Sequence, residues 1–76
     1  MVFIVWTLEG KSRHLLSCHA TLASALTCLR LEADGGKVNE DAKPGRIAGA
    51  GWGIIRATGE RADGVRYAIT QHSVEN

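Results

Sequence analysis

The sequence predicts an α+β fold, written ββαββ, in which two β-hairpins flank one helix and form an antiparallel sheet with the helix on one face. Two segments have apolar strands on either side of a glycine-containing turn. Between them lies a stretch in which apolar residues recur every three or four positions. Since a lone hairpin is marginally stable in water, both hairpins are expected to share one sheet. The 76 residues suffice for a single small domain, 1–76, with a frayed polar tail at 73–76.

The first hairpin begins with a strand, Val2–Leu8, that carries apolar side chains on both faces. Such a strand is expected to have a central position in the sheet. Gly10 suits the first central position of a two-residue turn, because this position requires a positive φ. With Glu9 opposite Ser12, three further cross-strand pairs follow: Trp6 with Leu15, Val5 with Leu16, and Phe3 with Cys18.

The helix is predicted over Ala20–Ala33, where the apolar residues fall on one side of a helical wheel. This stripe consists of Leu22, Ala25, Leu26, Leu29 and Ala33. Thr21 or Ser17 can cap the start, and the Gly35–Gly36 pair can supply the left-handed residue at the end. Leu31 lies opposite the stripe and is a candidate contact residue.

The segment 37–46 is predicted to be a surface loop, and a second hairpin is predicted after it. The second hairpin has strands over 52–58 and 65–72, joined by a loop at 59–64. Its predicted register pairs Thr58 with Val65, Ile54 with Ile69, and Arg56 with Tyr67. Its more apolar face consists of Trp52, Ile54, Val65, Tyr67 and Ile69.

Composition excludes several classes of protein. With 45% hydrophobic and 22% charged residues, the chain is a globular domain and not a disordered segment. Its net charge of +1 gives no electrostatic case for a dedicated binder of the phosphate backbone. No run of 18 apolar residues and no signal-peptide pattern is present, so a cytoplasmic location without membrane association is expected. Cys18 and Cys28 are then expected to be reduced thiols.

No catalytic residue, metal ligand or cofactor is predicted. In Ser17-Cys18-His19, neighbouring side chains of an extended chain point to opposite faces, so Cys18 and His19 are poorly placed to pair. The glycines of 49–53 lead into a strand, whereas phosphate-binding glycines precede a helix. The potential metal ligands lack the short paired spacings of zinc modules; they are His14, Cys18, His19, Cys28 and His72.

Binding of another protein is the function that remains. A sheet with one helix leaves a face or an edge open, and Leu31 together with exposed residues among Ile4, Trp6 and Leu15 would form an apolar patch. This surface suits a protein partner or a homodimer, unless the 37–50 segment covers it. The predicted contact residues are Leu31, Lys37, Glu40, Asp41, Lys43 and Arg46. The alternative is a nucleic-acid-binding or regulatory domain with a local basic patch, for which the candidate contacts are Arg13, Arg30, Arg56 and Arg66.

The layout resembles that of compact inhibitors encoded by phages and mobile elements, including several anti-CRISPR proteins. The resemblance lies in a hairpin at Val2–Cys18, an alanine- and leucine-rich helix beginning at Thr21–Leu26, and a hairpin ending in Val65–Ile69. It implies a non-enzymatic inhibitor that binds a bacterial nucleoprotein defence complex in the host cytoplasm. Such an inhibitor would block the nucleic-acid site of the complex or a conformational step. Many of these inhibitors are acidic mimics of nucleic acid, and this near-neutral chain departs from that pattern.

Overall fold

A computed structural model describes residues 1–10, 12–40 and 54–72. Its elements in chain order are β1 (Val2–Glu9), β2 (Ser12–His19), α1 (Leu22–Ala33), β3 (Lys37–Asn39), β4 (Ile54–Glu60) and β5 (Arg66–His72). The five strands form one antiparallel sheet in the order β2-β1-β5-β4-β3. The protein therefore has the predicted α+β class, and β1 is an interior strand, as its two apolar faces indicate.

The sheet has five strands, whereas the sequence predicts four. The additional strand, β3, lies at the start of the segment predicted to be a loop and pairs with the end of β4. Gly36 permits this pairing, because a Cβ at this position would lie 2.0 Å from the backbone oxygen of Glu60. Three residues are too few for an alternating pattern to be visible in the sequence.

The first hairpin has the predicted turn but only part of the predicted register. Glu9 pairs with Ser12 and Trp6 with Leu15, and Gly10 has the expected positive φ of 57°. Beyond this point the register shifts by one residue. Val5 pairs with Ser17 and not with Leu16, and Phe3 pairs with His19 and not with Cys18. The cause is a β-bulge in which Leu15 and Leu16 together oppose Trp6.

The helix begins two residues later than predicted, because Thr21 is extended and caps it. The hydroxyl of Thr21 accepts a hydrogen bond from the backbone N–H of Ser24 at 3.2 Å, so Ser17 has no capping role. At the other end the C-cap is Asp34, with a φ of 47°, and Gly35 of the predicted glycine pair follows it with a positive φ of 79°. The backbone N–H of Asp34 donates to the carbonyl of Arg30.

The core lies between α1 and one face of the sheet. The predicted apolar stripe of the helix supplies Ala25 and Leu29, and the sheet supplies Val5, Tyr67 and Ile69. The other face of the sheet is also largely buried. Its buried residues are Ile4, Trp6, Ala68, Thr70 and His72.

The second hairpin differs from the prediction in register. Its strands extend to Glu60 and begin again at Arg66, so Thr58 pairs with Ala68 and not with Val65. The turn lies at 61–65, where the backbone N–H of Arg61 donates to the carbonyl of Val65 at 2.8 Å. As a result, Ile54 pairs with Gln71 and not with Ile69. Arg56 lies at a register shift between Ile55 and Ala57, so it has no Tyr67 partner.

Candidate functional site

Strand β2 is an edge strand that pairs with β1 alone among the described residues. It is eight residues long, whereas the opposite edge strand, β3, has three. Short edge strands are a common protection against unwanted pairing, and β2 lacks this protection. Its residues are Ser12, Arg13, His14, Leu15, Leu16, Ser17, Cys18 and His19. None of them is a carboxylate.

Two adjacent leucines are exposed in the middle of this edge. The exposed fraction is 58% for Leu15 and 38% for Leu16. Both lie at the bulge, and a bulge on an edge strand redirects side chains and interrupts regular pairing. The edge therefore presents apolar surface, with a short stretch of backbone on each side that pairs with no further strand of the described residues.

Arg13 lies next to these leucines and stacks on a buried aromatic ring. Its guanidinium carbon is 5.3 Å from the centroid of the Trp6 ring, a cation–π distance. The ring is fixed in turn, because its Nε1 donates a hydrogen bond to the hydroxyl of Thr70 at 2.7 Å. Trp6 thus packs beneath this edge. Of the three strand residues considered for the predicted apolar patch, Ile4, Trp6 and Leu15, Leu15 is exposed.

The predicted patch of Leu31 with Leu15 does not form. Leu31 is 74% exposed on α1, as predicted, but α1 packs on the sheet face that carries Val5. Leu15 pairs with Trp6 and so lies on the opposite face. Ile4 and Trp6, which also lie on that face, are buried. The apolar surface is therefore divided between two sides of the molecule.

The other residues predicted to contact a protein partner do not form one surface among the described residues. Lys37 begins β3, and Glu40 forms an ion pair with Arg30. Asp41, Lys43 and Arg46 lie outside the described residues, as do Trp52 and the glycines of 49–53.

The four arginines predicted as alternative nucleic-acid contacts have different environments. Arg30 is engaged by Glu40, and Arg56 donates a hydrogen bond to Gln71 at 2.9 Å. Arg13 and Arg66 both oppose Leu8 in the sheet, one on each side of β1. The fold therefore places two of the four arginines on the same face of the sheet, on either side of Leu8.

A network of polar side chains joins β2 to α1. The ring of His19 shares hydrogen bonds with the hydroxyls of Ser17 at 2.7 Å and Ser24 at 2.8 Å. The Ser17 hydroxyl also lies 3.3 Å from the sulfur of Cys28. The sequence does not reveal this network, because Ser17 and Cys28 are eleven positions apart and meet only where α1 packs against β2. Cys18 is exposed and opposes Ile4, on the face away from His19.

A hydroxyl bonded to an imidazole is the pair that nucleophilic catalysis uses, with a third group that orients the ring. Here the third group is the hydroxyl of Ser24, which cannot stabilise a charged imidazolium as a carboxylate does. The network connects the middle and end of β2 to the first two turns of α1. Its clear consequence is to hold the edge strand in place.

Metal ligands do not converge in the part of the chain that the structure describes. His14 is 3.9 Å from Glu9 at the exposed end of the first hairpin. His72 is buried near Thr70, and the ring nitrogen Nε2 shares a 2.6 Å hydrogen bond with the hydroxyl of this threonine. Burial lowers the pKa of His72.

No protein-family model matches the chain, and neither the curated proteins nor the solved structures contain a match. Within the described ranges, no helix is long and apolar enough to cross a membrane.

Proposed function

We propose that the protein acts by binding another protein along the exposed edge of β2. The observation that supports this proposal is the combination of a long edge strand with two adjacent exposed leucines, Leu15 and Leu16. An unpaired edge offers backbone hydrogen bonds to an incoming segment, and exposed apolar side chains beside it add area that is buried on contact. Leu31 offers a single exposed leucine and no strand edge.

The edge is already ordered before a partner arrives. Arg13 stacks on Trp6 at one end, and Ser17 and His19 are hydrogen-bonded to α1 at the other. A surface held in its binding conformation loses less conformational entropy on association, and this raises affinity. The partner is expected to supply an apolar surface that contacts the two leucines. It is also expected to supply carboxylates that face Arg13, because β2 itself carries no acidic residue.

An inhibitor of a bacterial defence complex, of the anti-CRISPR type, is the finer form of this proposal. It depends on the resemblance in layout described above. Such an inhibitor needs a rigid surface that docks on a larger assembly, and the β2 edge would serve as this surface.

Affinity capture with matched variants tests the proposal. The tagged protein is incubated with nuclease-treated bacterial lysate, and captured proteins are identified by mass spectrometry and then purified for titration. The test variant is Leu15→Thr with Leu16→Thr, which keeps side chains that favour strands. The control is Leu31→Gln, which removes the exposed leucine of α1 and keeps a good helix former.

We expect the wild type and Leu31→Gln to bind the same purified partner with equal affinity. The double threonine variant is expected to bind at least tenfold more weakly, with unchanged circular dichroism. Equal binding by the threonine variant would exclude the β2 edge as the docking surface. Loss of binding in Leu31→Gln alone would move the surface to α1.

A further inference from the structure

A row of charged side chains crosses the sheet on the face opposite α1. The registers place Arg13 of β2 opposite Leu8 of β1, and Leu8 opposite Arg66 of β5. Arg66 in turn opposes Glu60 of β4, and Glu60 opposes Lys37 of β3. Residues that oppose one another in an antiparallel sheet point to the same face. Since Tyr67 is in the core with α1, its neighbour Arg66 and the whole row point away from the helix.

Among the described residues, the three cations of this row form no ion pair with a carboxylate. In the described ranges the ion pairs are His14–Glu9, Arg30–Glu40 and Arg61–Asp63, and none of them includes a residue of the row. The row therefore carries three positive charges and one negative charge in a protein whose net charge is +1. Such local concentration of charge is the electrostatic signature of an anion site.

The row borders a groove of about 400 Å³. Leu8, Lys37, Glu60 and Arg66 line the groove, together with Thr58 from the next row of the sheet. Strands lie about 4.8 Å apart, so Arg13, Arg66 and Lys37 follow one another at intervals of roughly 10 Å. Two of the three cations, Lys37 and Arg66, line the groove, and Arg13 continues the row beyond it on the other side of Leu8.

We infer that this face binds the backbone of a single-stranded nucleic acid, with Arg13, Arg66 and Lys37 as phosphate contacts. A line of cations is complementary to a chain of regularly spaced phosphates, and the guanidinium group matches phosphate in a bidentate geometry. The surface is a groove, which accommodates one strand, and the described part of the chain has no helix or ribbon that protrudes from it to enter a duplex. The three cations of the described row fall short of the four to eight that mark a lipid-binding cluster. This inference goes beyond the proposed protein-binding function, which uses Leu15 and Leu16 of the neighbouring edge. Arg13 lies on that edge as well and is shared by the two surfaces.

Fluorescence anisotropy tests the inference with a labelled single-stranded 12-mer DNA of mixed sequence between 25 and 200 mM KCl. Three phosphate contacts predict that log K falls with log salt concentration with a slope of about −2, since each contact contributes about −0.7 on single strands. Removing one contact by Arg66→Gln or Lys37→Gln should reduce the slope to about −1.4 and weaken binding roughly tenfold at low salt.

Two further variants distinguish binding by this row from non-specific attraction of DNA to positive charge elsewhere on the protein. Arg56→Gln removes a positive charge at an arginine already bonded to Gln71, and it should leave the affinity within twofold of the wild type. Glu60→Gln removes the only carboxylate of the row and should tighten binding about threefold to tenfold, a gain that misfolding cannot produce. The variant with Leu15→Thr and Leu16→Thr should bind DNA as the wild type does, which separates this site from the protein-binding edge.

Several results would overturn the inference. They are an absence of salt-dependent binding at 25 mM KCl, equal losses in Arg56→Gln and Arg66→Gln, and no gain in Glu60→Gln. Tighter binding of the same sequence as a duplex would also overturn the assignment to a single strand.

Discussion

Gly59 lies directly beneath the central leucine of the helix, and this contact sets how closely α1 approaches the sheet. A Cβ at Gly59 would lie 2.9 Å from Cδ1 of Leu29, whose side chain is fully buried. We therefore expect Gly59→Ala to destabilise the protein by about 1–3 kcal/mol through overpacking, measured by urea unfolding.

A double-mutant cycle tests the cause of this effect. Leu29→Val removes the δ-methyl that the new Cβ would meet, so Gly59→Ala should cost at least about 1 kcal/mol less in that background than in the wild type. Additive effects would show that the protein requires the backbone conformation of Gly59 and not the space that its missing side chain leaves for Leu29.

Asp63 closes the turn between β4 and β5 with a paired arginine. The guanidinium of Arg61 donates to both oxygens of the Asp63 carboxylate, at 2.9 and 2.7 Å. This hydrogen bonding to Arg61, helped by the backbone N–H of Val65, lowers the pKa of Asp63 to about 2. An NMR titration should find this midpoint, and Arg61→Gln should raise it towards the ordinary value of 3.8. A midpoint near 3.8 in the wild type would mean that the pair does not persist in solution.

At the scale of elements, the helix packs on the sheet through the apolar stripe that the sequence predicts. The residues of this stripe are buried to different degrees. Leu29 is fully buried and Leu26 is only partly buried. Leu29→Ala should cost about 2–5 kcal/mol, and Leu26→Ala should cost less because fewer contacts are lost. Leu31→Ala, at an exposed position, should change stability by no more than about 0.5 kcal/mol. Thermal melts followed by circular dichroism rank the three variants by stability. Equal melting temperatures for Leu29→Ala and Leu31→Ala would contradict the packing of α1 on the sheet through the face that carries Leu29.

Regular periodicity made some elements predictable and irregular backbone hid others. The apolar faces of β1 and the stripe of α1 repeat at the periods of strand and helix, and both elements were predicted from them. The bulge at Leu15 and Leu16 shifts half of the β1–β2 register, and no residue type in β2 predicts a bulge at this position. In the second hairpin, a turn was expected to begin at Gly59, but this glycine lies within β4 because α1 requires close contact there.

At the scale of the whole molecule, the candidate surfaces depend on long-range pairing that one sequence does not reveal. Exposure of Leu31 follows from the helical wheel alone, and the structure agrees. The row that joins Arg13, Arg66 and Lys37 needs the strand order and four registers together. The sequence predicts Arg13 and Arg66 among four candidate contacts for nucleic acid and Lys37 among the protein contacts, without indicating that these three residues share a row. Local pattern therefore identifies single residues, and the sheet determines which of them lie side by side.

Stability of the whole protein should depend on pH through His72. This side chain is 8% exposed, and burial lowers its pKa below the ordinary value of 6.5. The unfolded chain therefore takes up a proton near pH 6.5 that the folded protein takes up only at lower pH. By linkage, the free energy of unfolding is highest above pH 6.5 and falls as the pH decreases below it. Urea unfolding at pH 7.5, 6.5 and 5.5 should show this decrease in a range above the titration of ordinary carboxylates.

Matched histidine variants assign the decrease to His72. His72→Asn removes the titrating ring, so the loss of stability between pH 7.5 and 5.5 should become smaller, even if the variant is less stable throughout because the bond to Thr70 changes. His14→Asn serves as the control, because His14 lies at an exposed position near Glu9. The same loss in His72→Asn as in the wild type would contradict the assignment. A change confined to His14→Asn would place the titrating group in the first hairpin, whereas a change confined to His72→Asn would show that proton uptake at the end of β5 is coupled to unfolding of the sheet.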